Sequence, residues 1–207
     1  MTIEKAQCRW TSLATADRED ILALDAADRK WAALLPARVL MQLQALRGRD
    51  GALGMPVDRL EHSLQCATRA YRDNRSDEYV VCALVHDVGD VLAPYDHGAL
   101  AACVLKPFVS ERLHWMVAHH ALFQGYYYFH HLGHDRFARE RYRDHLWYGD
   151  AVEFCERFDQ CSFDLGYASH PLEFFEPAIR EVIGRHRAAP ELGCTSIEAA
   201  ELARLRD

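Results

Sequence analysis

The sequence predicts an all-α protein, and three observations predict it. No stretch alternates apolar and polar residues with period two for long enough to form a strand. Apolar residues recur instead at steps of three and four, in segments bounded by capping residues, prolines and glycines. One of these segments, Glu78 to Val88, is apolar nearly all round, which is the pattern of a helix at the centre of a bundle.

Taken in order, the first fifty residues read as two helices. Asp17 to Leu35 places Ile21, Leu24, Trp31 and Leu34 near a helical period; Pro36 interrupts it, and Val39, Leu40, Leu43 and Leu46 continue to a stop at Gly48 and Gly51. The next helix runs from Val57 to Tyr71, with Asp58 in its first turn and His62, Cys66 and Ala70 in one line. Ser76 or Asp77 caps the central helix. Asp96 is placed to cap His97 to Leu105, which Lys106-Pro107 stops. Ser110 caps Glu111 to Gln124, a helix carrying His114, His119 and His120. The stretch from Gly125 to Gly149, with the aromatic run Tyr126 to Phe129 and the basic run Arg136, Arg139, Arg141 and Arg143, reads as an elaborated lid or connection. A helix from Tyr148 to Cys161 puts Val152, Cys155 and Asp159 on one face. Pro177 is placed to start a helix to Gly184, and Thr195-Ser196-Ile197-Glu198 fits a capping box for a last short helix.

The totals bound the function. A chain of 207 residues suffices for one domain with a full core. A net charge of −7 argues against nucleic acid or an anionic membrane as the main partner. No run of eighteen apolar residues exists, and MTIEKAQCRW lacks a signal-peptide core, so the expectation is a cytoplasmic protein acting on a small molecule. The seven cysteines are odd in number and contain no CxxC pair, so they read as reduced thiols.

Chemistry concentrates in Ala83-Leu84-Val85-His86-Asp87-Val88-Gly89-Asp90. Burying an unpaired carboxylate costs several kcal/mol, on the order of known desolvation penalties, unless something positive lies beside it. The chain offers partners on separate helices: His62, His97, the pair His119/His120, and Asp159. Antiparallel helices can bring such residues together in a bundle interior. Histidine with carboxylate suits iron, manganese or zinc, and six ligands suit two metals bridged by one carboxylate. Periodicity alone does not decide between His119 and His120. His114, His130, His131, His134 and His145 read as surface or lid residues.

The order H…HD…D at His62, His86, Asp87 and Asp159 resembles the HD-domain superfamily of metal-dependent phosphohydrolases. His97 and His120 match its dinuclear branch, and the chain looks most like the mixed-valent diiron oxygenases there, the group of myo-inositol oxygenase and the organophosphonate-cleaving oxygenases. The resemblance covers Leu60 to Asp164. It implies an HD-domain helical bundle, with residues 1–52 as a helical cover, 53–164 as the metal-binding core and 165–207 as C-terminal helices. It implies two iron ions (Fe2+/Fe3+): Asp87 bridging, His62, His86 and Asp159 on one iron, His97 and His120 on the other. It favours His120 over His119 and Asp159 over Asp164. The implied reaction uses O2 to cleave a bond at a hydroxyl-bearing carbon.

The sequence departs from that family at the substrate. Asp90 stands where the phosphonate-cleaving members carry a histidine, Gln124 replaces a lysine, Leu53 a tyrosine and Glu156 an arginine. Asp90 and Gln124 are expected to face the substrate. Tyr126, Arg139 and Arg143 are the reserve for binding it. The acids at positions 90 and 156 point to a 1-hydroxyalkylphosphonate with an amino or quaternary ammonium group, for which the aromatic run would supply a wall. Two other classes remain open: a dinuclear phosphohydrolase or phosphodiesterase, against which Asp90 would repel an anionic phosphate, and a metal-dependent regulatory protein without turnover.

Overall fold

The computed structural model describes residues 10–48 and 54–185. Among them every regular element is helical: α1 (Arg18–Ala32), α2 (Leu35–Ala45), α3 (Arg59–Arg72), α4 (Asp77–Val85), α5 (His97–Leu105), α6 (Glu111–Tyr128), α7 (Tyr148–Phe154) and α8 (Leu172–Gly184), with short 3-10 turns between them. The all-α expectation holds. Leu53 and the capping box at 195–198 lie outside the described residues.

The helix starts follow their local chemistry. The Asp17 carboxylate accepts from the backbone N–H groups of Glu19 and Asp20, and Asp20 returns the bond to Asp17 N–H, forming a capping box. Asp58, Ser76 and Ser110 each cap the N-terminus of α3, α4 and α6 through their side chains. Asp96 occupies the N-cap of α5, but its side chain makes no capping bond, contrary to expectation.

Burial ranks the helices. All seven residues from Tyr79 to Val85 are buried, so α4 is the central helix its composition predicts. It packs against α3 on one side and α8 on another, while α6 packs against both α5 and α7. Val39 and Leu43 of α2 join the core against α8. By contrast, α1 contributes no buried residue, so of the expected N-terminal cover only α2 seals the bundle.

Three boundaries differ from the sequence reading. Helix α6 extends through the aromatic run to Tyr128, and the rest of the expected lid collapses into 3-10 turns at Phe129–Leu132 and Ala138–Tyr142. Pro177 lies inside α8 rather than at its start; the helix begins after Pro171, and the buried face of Leu172, Phe175, Ile179, Val182 and Ile183 outweighs the lost backbone bond. Finally, α7 gives way at Cys155–Asp159 to a π-helical turn, closed by Gln160 N–H donating to Cys155 O at 3.0 Å. Cys66, Cys82, Cys103, Cys155 and Cys161 are unpaired thiols, as expected; Cys8 and Cys194 lie outside the described residues. No helix among the described residues is long and apolar enough to cross a membrane.

Candidate metal centre

The centre forms where α4 stops. His86 keeps helical backbone angles (φ −54°, ψ −35°), whereas Asp87 leaves them (φ −100°, ψ 7°). A 3-10 turn, Val88–Val91, follows. Gly89 in that turn lies against the backbone of His97: a Cβ built there would stand 2.3 Å from the His97 carbonyl oxygen. Only glycine permits this approach, which brings the start of α5 opposite Asp87. Across α6, His120 is buried and directed inward. His119 instead donates from Nδ1 to Trp115 O at 2.8 Å and stacks on the Trp115 ring. The choice that periodicity left open therefore falls on His120. Asp159, the last residue of the π turn, is fully buried.

These residues make two groups that share one carboxylate. In the first, His62 Nε2 is 3.2 Å from His86 Nε2 and 3.2 Å from Asp159 Oδ1, with Asp87 Oδ2 at 3.5 Å from His62 and 3.4 Å from His86. In the second, His97 Nε2 is 3.1 Å from His120 Nε2, and Asp87 Oδ1 is 3.3 Å from His97 and 3.1 Å from His120. One oxygen of Asp87 thus serves each group.

The imidazoles are oriented from behind. His62 Nδ1 faces Ser162 O at 3.0 Å, His86 Nδ1 faces Ala83 O at 2.8 Å, and His120 Nδ1 faces Val117 O at 2.7 Å. A carbonyl oxygen only accepts, so the proton of each neutral ring resides on Nδ1 and the Nε2 lone pair points into the centre. Lone pairs then confront one another at 3.1–3.2 Å, with carboxylate oxygens beside them. That arrangement is repulsive unless a cation lies between, so the residues present fit bound metal. Buried His62, His86, His120, Asp87 and Asp159 can hold metal ions.

The protonation pattern carries the same demand for positive charge. Burial works against a charged His120, yet the Asp87 carboxylate bonded to it raises its pKa to about 9. Burial also opposes charge on His62, and Asp159 and Asp87 nonetheless hold its pKa above the usual value. For His86 burial prevails and pushes the pKa down to about 4. Burial disfavours ionised Asp87, but the surrounding imidazoles of His86, His120 and His62 hold its pKa well below the carboxylate range. Asp159 Oδ2 is buried with no hydrogen-bond partner, while Gln124 Nε2 donates to its Oδ1 at 2.6 Å.

The remaining expected site residues fall in different places. Gln124 reaches the centre, but through Asp159. Asp90 turns toward His97 and Arg59. Tyr126 packs against two guanidinium groups, Arg136 at 4.2 Å and Arg139 at 3.9 Å from its ring centroid. Arg143 is exposed and bound to Glu140 at 2.6–2.8 Å, and Glu156 is exposed. Phe163 escaped the sequence reading, and Tyr128 was named only as part of the aromatic run. Phe163 stacks on His62, with centroids 4.4 Å apart, and Tyr128, four residues beyond Gln124, has a pKa raised by burial and then by the fields of Asp159 and Asp87. For Tyr128 the step 120, 124, 128 along one helix face was the available signal.

No protein-family model matches the chain, and no curated protein matches it.

Proposed function

We propose that the chain is a non-haem diiron oxygenase of HD type, using O2 to cleave a bond in a small hydroxylated substrate. The observation that carries the reading is the division of Asp87, whose two oxygens each serve a separate histidine pair. Two irons bound there would supply redox chemistry for dioxygen and Lewis acidity for a substrate hydroxyl.

The protein's own part is asymmetric. Four residues would hold a metal at the first position, His62, His86, Asp159 and Asp87, with Phe163 stacked on His62 and Phe154 against His86. The second has three, His97, His120 and Asp87, and is the more open: the His97 side chain is 22% exposed against 0–2% for His62, His86 and Asp159. A metal held there would have fewer protein ligands and, on the His97 side, more contact with solvent, so a small hydroxylated substrate would be bound at this position. The aromatic rings around the first exclude water from that side.

The charge at position 90 does not select a cationic substrate, because Arg59 neutralises Asp90. Glu156 is exposed. The substrate class is therefore a small hydroxylated molecule, with 1-hydroxyalkylphosphonates as the first to test. That same ion pair favours a second reading, a dinuclear phosphohydrolase, since Asp90 no longer repels a phosphate.

One experiment separates the two. Protein purified with and without oxygen is assayed for metal content, EPR and turnover. The oxygenase reading expects about two irons per chain, a mixed-valent EPR signal and oxygen uptake with hydroxylated substrates. Zinc or manganese in the centre, with phosphate released from phosphomonoesters or nucleotides and no oxygen consumed, would replace it by the second reading.

A further inference from the structure

Of the four histidines in the centre, one is held differently. His62, His86 and His120 each direct Nδ1 at a neutral backbone carbonyl. His97 directs Nδ1 at a carboxylate, Asp90 Oδ1, 3.2 Å away. The other oxygen of Asp90 accepts a bond from Arg59 Nε, on α3. The backbone fixes this chain of contacts. Asp90 N–H donates to Asp87 O at 3.0 Å, so the 3-10 turn that carries the shared carboxylate also aims Asp90. Gly89, packed on the backbone of His97, sets the distance between the turn and α5.

We propose that Asp90 is a positioning residue for His97, and that Arg59–Asp90–His97 sets the metal affinity of the second position apart from the first. The inference rests on the dinuclear reading of the centre, and not on the oxygenase chemistry. An ionised carboxylate only accepts, so the His97 proton resides on Nδ1 and Nε2 keeps its lone pair toward Asp87 and His120. A carboxylate behind the ring also raises the basicity of the ligating nitrogen more than a carbonyl does, and loss of such a partner typically lowers metal affinity about 10- to 100-fold. Arg59 occupies the second oxygen of Asp90. The shell behind the first position has no charged partner on any histidine Nδ1, whereas the second position, with fewer protein ligands and more exposure, has this one. The carboxylate thus strengthens binding where ligands are fewest.

The test is a metal titration. Chelator-treated protein is titrated with Co2+ without oxygen, following the visible absorption of the bound ion and the stoichiometry. Wild type is expected to bind two ions per chain. Asp90→Asn, nearly isosteric and still able to accept from Nδ1–H, is expected to weaken one of the two ions about 10- to 100-fold and to leave the other unchanged. The unchanged ion doubles as the control for folding. Asp90→Asn added to His97→Ala is expected to weaken binding no further than His97→Ala alone, since Asp90 acts through that ring. Equal weakening of both ions, no weakening at all, or an additive loss in the double variant would overturn the role of Asp90. A wild type that binds only one ion overturns the dinuclear reading along with it; the oxygenase reading is tested separately, by oxygen uptake of the iron-loaded protein.

Discussion

Replacing Gly89 by alanine puts a methyl carbon against the His97 carbonyl oxygen, where the available separation is 2.3 Å and the opposing atoms are backbone. Neither side can yield by rotating a bond, so the turn and α5 must separate. The expected result of Gly89→Ala is one metal per chain instead of two, measured by atomic emission after exhaustive dialysis, with the ion at His62, His86 and Asp159 kept. Two ions at wild-type affinity would mean that this close approach does not control His97. At this scale the sequence spoke clearly about ligands and poorly about their supports. His62, the pair His86-Asp87, His97 and Asp159 could be named because each is a metal-binding residue type and the four fall on separate predicted helices. Asp90 was expected to face substrate because it stands where the resembling family carries a substrate-contacting histidine; its ion-pair partner Arg59 lies 31 residues earlier. Nothing local in the sequence ties those two together, and the same holds for Gln124 and Asp159, 35 residues apart.

Between helices, the approach of α5 to α6 is set by Gly98. A Cβ there would lie 3.2 Å from both His120 Cε1 and Val117 O. His120 cannot move aside easily, because its Nδ1 is bonded to Val117 O at 2.7 Å. Gly98→Ala gains up to about 1 kcal/mol of helix propensity and loses roughly 1–3 kcal/mol to overpacking, so the expected net change in denaturant unfolding is a loss of about 1 kcal/mol. A stabilised variant would show that α6 yields. A second inter-element link ties the turn after α3 to α7. Arg157 bonds Asp73 at 2.6 Å and Glu153 at 3.0 Å, and Arg75 bonds both acids. Hydrogen bonding from Arg157 holds the Asp73 pKa below its usual value, and the two arginines, against burial, do the same for Glu153. Folded-state values below the unfolded ones give stability that is present above pH 4–5 and lost as pH falls through the depressed values. Arg157→Leu is expected to flatten that acid limb in a urea series between pH 3 and 6, and an unchanged slope would remove the link. Element positions were legible from caps and periodicity, but not the π turn at Cys155–Asp159. In a sequence, one face carrying Val152, Cys155 and Asp159 looks the same whether or not the helix widens there.

For the whole molecule, the centre couples folding to metal and to protons in opposite senses. A metal that binds only the folded chain adds about 2.7 kcal/mol per site at a hundred times its dissociation constant, so chelation is expected to lower the melting temperature by several degrees at least. Without metal, His120 supplies the missing cation. Its folded pKa of about 9 exceeds the ordinary 6.5, so its contribution is fully present below pH 6.5 and is lost as pH rises through 9. His86, pushed down to about 4, works the other way: the unfolded chain takes up its proton first, and stability falls as pH drops from 6.5 toward 4. The chelated protein should therefore be most stable near pH 6.5 and weaken steadily toward pH 9. The metal-loaded protein should not weaken over that interval, because loss of protons frees imidazole for the metal instead of removing positive charge from the cluster. Melting temperatures of both forms, taken at half-unit steps from pH 6 to 9, check this directly. The two curves should diverge with rising pH. Parallel curves would mean that the cluster does not bind metal through these histidines, whatever the ion and whatever the reaction.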